Sequence, residues 1–133
     1  MTSVFVDTSA LLAFVNPKDE SHDRALRAFE TLEGRRAPLL STSFVVVETY
    51  ALLGRRLGLE AVRGFRSHLA PLIDVVWVDE PLHEAGLDLL LERRKRKLSL
   101  VDAVSFVTMR GRGIDEAFAY DPHFEQEGFI LVE

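Results

Sequence analysis

Ser3-Val4-Phe5-Val6-Asp7-Thr8-Ser9-Ala10-Leu11-Leu12 is the stretch on which the fold turns. Ser3 to Val6 is short, uncharged and rich in β-formers, as a strand buried on both faces should be. Asp7, Thr8 and Ser9 follow at once, all helix-capping types, and Ala10 to Val15 continues as an apolar helix that Asn16-Pro17 stops. Residue 7 thus falls where a strand ends and a helix begins.

The alternation continues outward. Asp19 to Glu33 reads as an amphipathic helix with Ala25, Leu26, Phe29 and Leu32 on one face and Gly34 at its end. Pro38 to Ser41 is a second strand, and Ser43 caps a helix through Arg56 that Gly58 ends. Leu59 to Leu69 is helical, and Ile73 to Val78 is a β-branched strand with Trp77 as a core side chain. Pro81 suits the first turn of a helix to about Arg94. Ser99 caps a helix through Arg110 that Gly111 and Gly113 break. Ala117 to Tyr120 and Phe129 to Val132 complete five strands, with one helical turn between them. Short buried strands separated by helices predict an α/β fold: a five-stranded, mainly parallel sheet with helices on both faces. No repeat or Gly/Ser linker divides the chain, so residues 1–133 are expected to form one domain.

Composition narrows the chemistry. The chain is 47% hydrophobic and 28% charged, an ordinary globular balance. No run reaches the ~20 apolar residues of a membrane span, and no basic stretch precedes a signal-like segment, so a cytoplasmic protein with no membrane contact is expected. With no cysteine, disulfides, thiolate metal sites and a cysteine nucleophile are excluded. The formal charge of −5 argues against a general nucleic-acid coat protein but not against a nucleic-acid enzyme, whose acids gather round metal.

Three carboxylates interrupt apolar runs. Asp7 is the only charged side chain from Met1 to Pro17, Glu48 from Ala37 to Gly54, and Asp102 from Leu98 to Met109. A lone buried acid needs a partner, and no Lys or Arg in those segments supplies one. Glu48 lies four residues from both Phe44 and Leu52, on an apolar helix face, and Asp102 lies near its helix start. Asp7 ends the first strand and Asp121 the fourth, so all four can meet at the carboxyl ends of the strands. Two such charges ~5 Å apart repel by about 3 kcal/mol at an effective dielectric near 20. Mg²⁺ or Mn²⁺ relieves that repulsion, prefers oxygen ligands, and suits phosphodiester hydrolysis. Each acid also has a plainer reading: Asp7 as an N-cap, Asp102 as a helix-start anion, Asp121 before Pro122 as a turn initiator, and Glu48 paired with Arg55 or Arg56.

Val6-Asp7-Thr8-Ser9-Ala10-Leu11-Leu12, Glu48 in Ser43-Phe44-Val45-Val46-Val47-Glu48, Asp102 in Leu98-Ser99-Leu100-Val101-Asp102-Ala103, and Asp121 in Tyr120-Asp121-Pro122-His123-Phe124 together resemble a PIN domain. The resemblance covers essentially the whole chain, whose size is similar to single-domain toxins of the VapC type. It implies an Mg²⁺- or Mn²⁺-dependent endoribonuclease, often a homodimer, silenced by a small antitoxin that fills the active-site groove. It also implies that Asp7, Glu48, Asp102 and Asp121 bind metal or shape the acidic pocket, with Ser9 beside them.

Thr8 and Ser9 are capping residues first and candidate donors around the metal second. Arg93, Arg94, Lys95, Arg96 and Lys97 form the one dense basic run, either a solvated helix end or a rim that meets RNA phosphates, which Arg110 and Arg112 can extend. His22, His68, His83 and His123 show no metal-ligand spacing, and only His123 falls near an acid of the set. The expected function is endoribonucleolytic cleavage. Two other readings stand beside it. A non-cleaving RNA-binding module of the same fold should have lost an acid, and an aspartate-based phosphatase should carry a second Asp where Ser9 stands.

Overall fold

β1 (Val4–Val6) is wholly buried and passes into α1 (Thr8–Val15) with only Asp7 between them. The computed structural model describes residues 2–133. After α1 come α2 (His22–Arg35), β2 (Leu39–Thr42), α3 (Ser43–Leu57), α4 (Leu59–His68), a 3-10 turn (Ala70–Leu72) and β3 (Ile73–Val76). The second half runs α5 (Glu80–Arg93), α6 (Leu100–Gly111), β4 (Glu116–Phe118), α7 (Pro122–Gln126) and β5 (Ile130–Leu131). The strands form one sheet in the order β3-β2-β1-β4-β5, and every neighbouring pair is parallel. The chain winds outward from β1 to β3, then returns to the other side of β1. The order therefore reverses between β1 and β4, the place where parallel α/β sheets open a crevice.

Alternation along β1 splits the core in two. Val4 and Val6 face α1 to α4 and pack with Leu11, Leu32, Leu53, Phe65 and Phe118. Phe5 faces the opposite side and joins Phe106, Met109, Phe124 and Phe129. Each fully buried Phe or Leu contributes about 1.5–3 kcal/mol, so the two layers dominate the stabilisation of the sheet. α5 lies against α6 at Gly86, where a β-carbon would sit 2.4 Å from Val104 Cγ2. No helix among the described residues is long and apolar enough to cross a membrane.

The elements fall where the sequence predicts, but several details are corrected. α2 runs through Gly34 and ends at Arg36, which takes the left-handed conformation at φ 52°. The side chain capping α3 is Thr42, not Ser43, whose hydroxyl instead accepts from the Val78 N–H at 2.9 Å. β3 stops at Val76, leaving Trp77 76% exposed rather than in the core. On α2 the buried face is Ala25, Ala28 and Leu32, while Leu26 faces solvent. Ala25, Leu32 and the partly buried Phe29 hold the expected face, so Leu26 is the one residue of that stripe corrected.

Candidate active site

Asp7, Asp102 and Asp121 each begin a helix. Asp7 is the N-cap of α1, and its Oδ2 accepts from the Ser9 N–H at 3.1 Å and the Ser9 hydroxyl at 2.6 Å. Asp102 stands third in α6 and forms a capping box with Ser99: its Oδ2 accepts from the Ser99 N–H at 3.1 Å, and the Ser99 hydroxyl accepts from the Asp102 N–H at 3.1 Å. Asp121 caps α7, and its Oδ1 accepts from the His123 N–H at 2.9 Å. The plain capping roles are therefore real. Each uses one carboxylate oxygen and leaves the other without a hydrogen-bond partner among the described residues.

The carboxylates line one space, and among the described residues Asp102 and Asp121 are the two of the four acids that join a close ligand group. Asp7, Glu48, Asp102 and Asp121 line a concavity of about 330 Å³ at the carboxyl ends of β1 and β4, together with Thr8, Ser9, Ser99 and Lys97. Asp102, Asp121 and His123 each bring one donor atom within 4.8 Å of the others. A larger hollow at the opposite end of the strands, lined by Thr2, Ser3, Leu40, Arg112, Gly113 and Ile114, carries no acid. Glu48 is half-buried on the wall of the acidic concavity, less enclosed than its apolar surroundings in sequence suggest.

Buried hydroxyls fix the walls. The Thr8 and Thr49 hydroxyls lie 3.1 Å apart and reach the Val45 carbonyl at 3.3 and 2.8 Å, joining α1 to α3. Their chain neighbours are Asp7 and Glu48, so this contact joins the two backbone segments that carry those acids. The Ser9 hydroxyl also accepts from the Tyr120 N–H at 2.9 Å, tying the start of α1 to the chain that leads to Asp121.

Electrostatics mark the concavity as short of positive charge. Burial pushes the Asp7 carboxyl up to about 7, against the two Ser9 hydrogen bonds that pull it down, and Asp102 and Asp121 add to the rise. Burial also raises Asp102, with Asp121 adding to it, while Ser99 and His123 pull it down. A buried oxygen donor that holds its proton to near neutrality, with two further acids adding to the rise, belongs to the kind of donor set a hard divalent cation relieves. The residues present fit Mg²⁺ or Mn²⁺.

The basic run divides. Arg93 is committed to Glu127, with its Nε and Nη2 at 2.9 and 3.1 Å from the two carboxylate oxygens, and Arg110 adds a contact at 2.8 Å. These two cations clamp the end of α7 and hold the Glu127 carboxyl down at about 2. Lys95 reaches Gln126 at 3.4 Å. Arg94 and Arg96 are exposed and make no ion pair among the described residues, and Lys97 alone of the run lines the acidic concavity. Of the four histidines, His123 is the one the sequence leaves near the acids, without assigning it a role. The structure puts it against Asp121, and only its spacing of two from a capping acid hinted at this.

The sequence matches the PIN domain family over residues 4–129. The chain is a PIN domain. Over 131 residues, 97% of each chain, this PIN domain is 37% identical to the 23S rRNA-specific endonuclease VapC20 of Mycobacterium tuberculosis. The crystal structure of VapC20 from that organism, described as a Sarcin-Ricin loop cleaving toxin, matches with a TM-score of 0.84 at 35% identity, covering 96% of this chain and 97% of the other. A toxin–antitoxin complex from Klebsiella pneumoniae has the same fold, with a TM-score of 0.71 at 17% identity over 98% of this PIN domain and 97% of the matched chain.

Proposed function

We propose that this PIN domain is a divalent-metal-dependent endoribonuclease that hydrolyses phosphodiester bonds of structured ribosomal RNA. The observation that carries the reading is the meeting of four acids from four separate stretches in one concavity at the switch point of the sheet. The substrate class rests on the 37% identity over 97% of the chain to a relative named for cleaving 23S rRNA.

Asp7, Glu48, Asp102 and Asp121 would hold Mg²⁺ or Mn²⁺. When bound, the cation supplies acidification of an attacking water and stabilisation of the charge that develops on the scissile phosphate. The chain's own part is placement. Ser9 holds one oxygen of Asp7, the Thr8–Thr49 contact joins the helices that carry Asp7 and Glu48, and the capping box holds Asp102. Lys97 at the mouth meets the incoming phosphate, with Arg94 and Arg96 extending the track of positive charge.

The physiological setting proposed with this activity is a cytoplasmic toxin, with a homodimer as its assembly and a small antitoxin protein as its inhibitor. Support for the antitoxin comes from the fold, which is shared with a chain from a toxin–antitoxin complex.

The test is cleavage of purified ribosomal RNA by wild type and Asp7→Asn with Mg²⁺, Mn²⁺ or chelator. Cutting by wild type with metal, lost in the variant and in chelator, is expected. Activity that survives both removes the mechanism. Lys97→Glu with Arg94→Glu should weaken RNA binding and flatten its salt dependence, and an unchanged salt slope would exclude the proposed track.

A further inference from the structure

His123 makes two bonds to one oxygen. Its backbone N–H reaches Asp121 Oδ1 at 2.9 Å, and its imidazole Nδ1 lies 2.8 Å from the same atom. A carboxylate oxygen can only accept, so the proton of the second contact sits on Nδ1 and the bond is charge-assisted. Oδ1 is taken twice, and Oδ2 makes no hydrogen bond among the described residues, while Asp121 lines the concavity.

The ring is held from the core. The imidazole side chain is 14% exposed and follows Pro122 in the first turn of α7. Next to it Phe124 is fully buried, with its ring centroid 5.0 Å from that of Phe106 and 6.1 Å from that of Phe5. Phe106 lies one turn beyond Asp102 on α6. The pair Phe106–Phe124 therefore joins the helix that carries Asp102 to the helix that carries Asp121 and His123. At the far end of α7, Glu127 is gripped by Arg93 and Arg110.

We propose that His123 is a positioning residue for the cation site, its imidazole locking the Asp121 carboxylate in the orientation that presents Oδ2 to a divalent ion. A single backbone donor leaves a carboxylate free to turn about its soft terminal torsion, so that either oxygen can face the site. A second donor at another angle removes that freedom. The inference rests on the metal-dependent reading above and assigns this residue a role within it. Partners of this kind behind a metal ligand typically change metal affinity by roughly 10–100-fold when removed.

The test is calorimetric titration of the full chain with Mn²⁺ alone, without RNA, for wild type, His123→Ala, His123→Asn, Asp121→Asn and the double variant His123→Ala/Asp121→Asn. The expected result is a loss of about 10–100-fold in His123→Ala and partial recovery in His123→Asn, whose amide can still donate. The double variant should bind no more weakly than Asp121→Asn, because His123 acts through Asp121. Melting curves in chelator check that each variant is folded, and His123→Phe, which keeps a packed ring without the donor, replaces His123→Ala if that variant is not. His123→Ala binding like wild type while Asp121→Asn is impaired overturns the positioning role and leaves the cation site standing. Independent losses that add in the double variant also overturn it. Wild-type binding by Asp121→Asn overturns the ligand assignment of Asp121, and this inference with it.

Discussion

Asp7 shows what burial does to one carboxyl. In the cation-free fold it keeps its proton up to about pH 7, whereas in the unfolded chain it loses it near 3.8. Between those values the unfolded state holds fewer protons, so the fold without cation loses stability as pH rises from about 4 to 7. Cation binding needs the carboxylate and strengthens over the same range, by about tenfold per pH unit below 7 when one proton is displaced. Mn²⁺ titrations at pH 6 and pH 8 should therefore differ by about tenfold in wild type. In chelator, Asp7→Asn should decline less steeply than wild type across this window, the remainder coming from Asp102, and parallel pH profiles for the two proteins would refute the assignment. At this scale the sequence was legible for the acids, because an isolated charge in an apolar run is a strong signal. It was half legible for His123: its spacing put it near Asp121, but the ring contact at 2.8 Å depends on a side-chain angle that no spacing encodes.

Elements are where helix packing decides. The α5–α6 contact closes over Gly86, and an added methyl there would press on both the side chain and backbone of Val104. Gly86→Ala should destabilise the protein by about 1–3 kcal/mol in denaturant unfolding despite its better helix propensity. A stabilised variant would mean that the two helices separate freely. The clamp on α7 makes a second prediction. Glu127 is held at about 2 by Arg93 and Arg110, below its ordinary 4.5, so it contributes stability above pH 4.5 that disappears as pH falls through about 2. Glu127→Gln should be less stable than wild type at pH 7, and acid titration of both should bring the two curves together by about pH 2. A constant gap across that range would show that the contribution is packing rather than charge.

Element types could be read because buried strands and capped helices differ in period and in their boundary residues. The errors have specific causes. Thr42 and Ser43 are adjacent and chemically alike, and the choice between them is made by Val78, 35 residues from Ser43, which needs a hydroxyl of its own. Arg36 ends α2 in a conformation usually left to glycine, although Gly34 stands two residues earlier. Trp77 was read as core because it lies among β-branched residues, but β3 is the edge strand and has already ended. Arg93 belongs to a basic run in sequence and to an ion pair in space, since its partner Glu127 lies 34 residues away.

At the scale of the whole molecule, the proposed cation site ties binding to folding. Wild type carries its crowded acids as a standing repulsion, and Asp102, raised by burial, shares in it. Without cation, Asp102→Asn should be as stable as wild type or slightly more so. A ligand present at a hundred times its dissociation constant stabilises a fold by about 2.7 kcal/mol, so saturating Mg²⁺ or Mn²⁺ should raise the melting temperature of wild type by several degrees and that of Asp102→Asn by less. Equal shifts would remove Asp102 from the ligand set.

Because Asp7, Asp102 and Asp121 each serve a helix start with one oxygen and leave the other unbonded beside the concavity they line, the routes by which such a chain can be disarmed are unequal. Asparagine still satisfies the helix start and loses only the outward oxygen, while alanine loses both. A single transition in the codon separates Asp from Asn, so on the proposed mechanism the most accessible lesion leaves a folded but inert protein, and mutational decay of this gene should yield decoys before it yields debris.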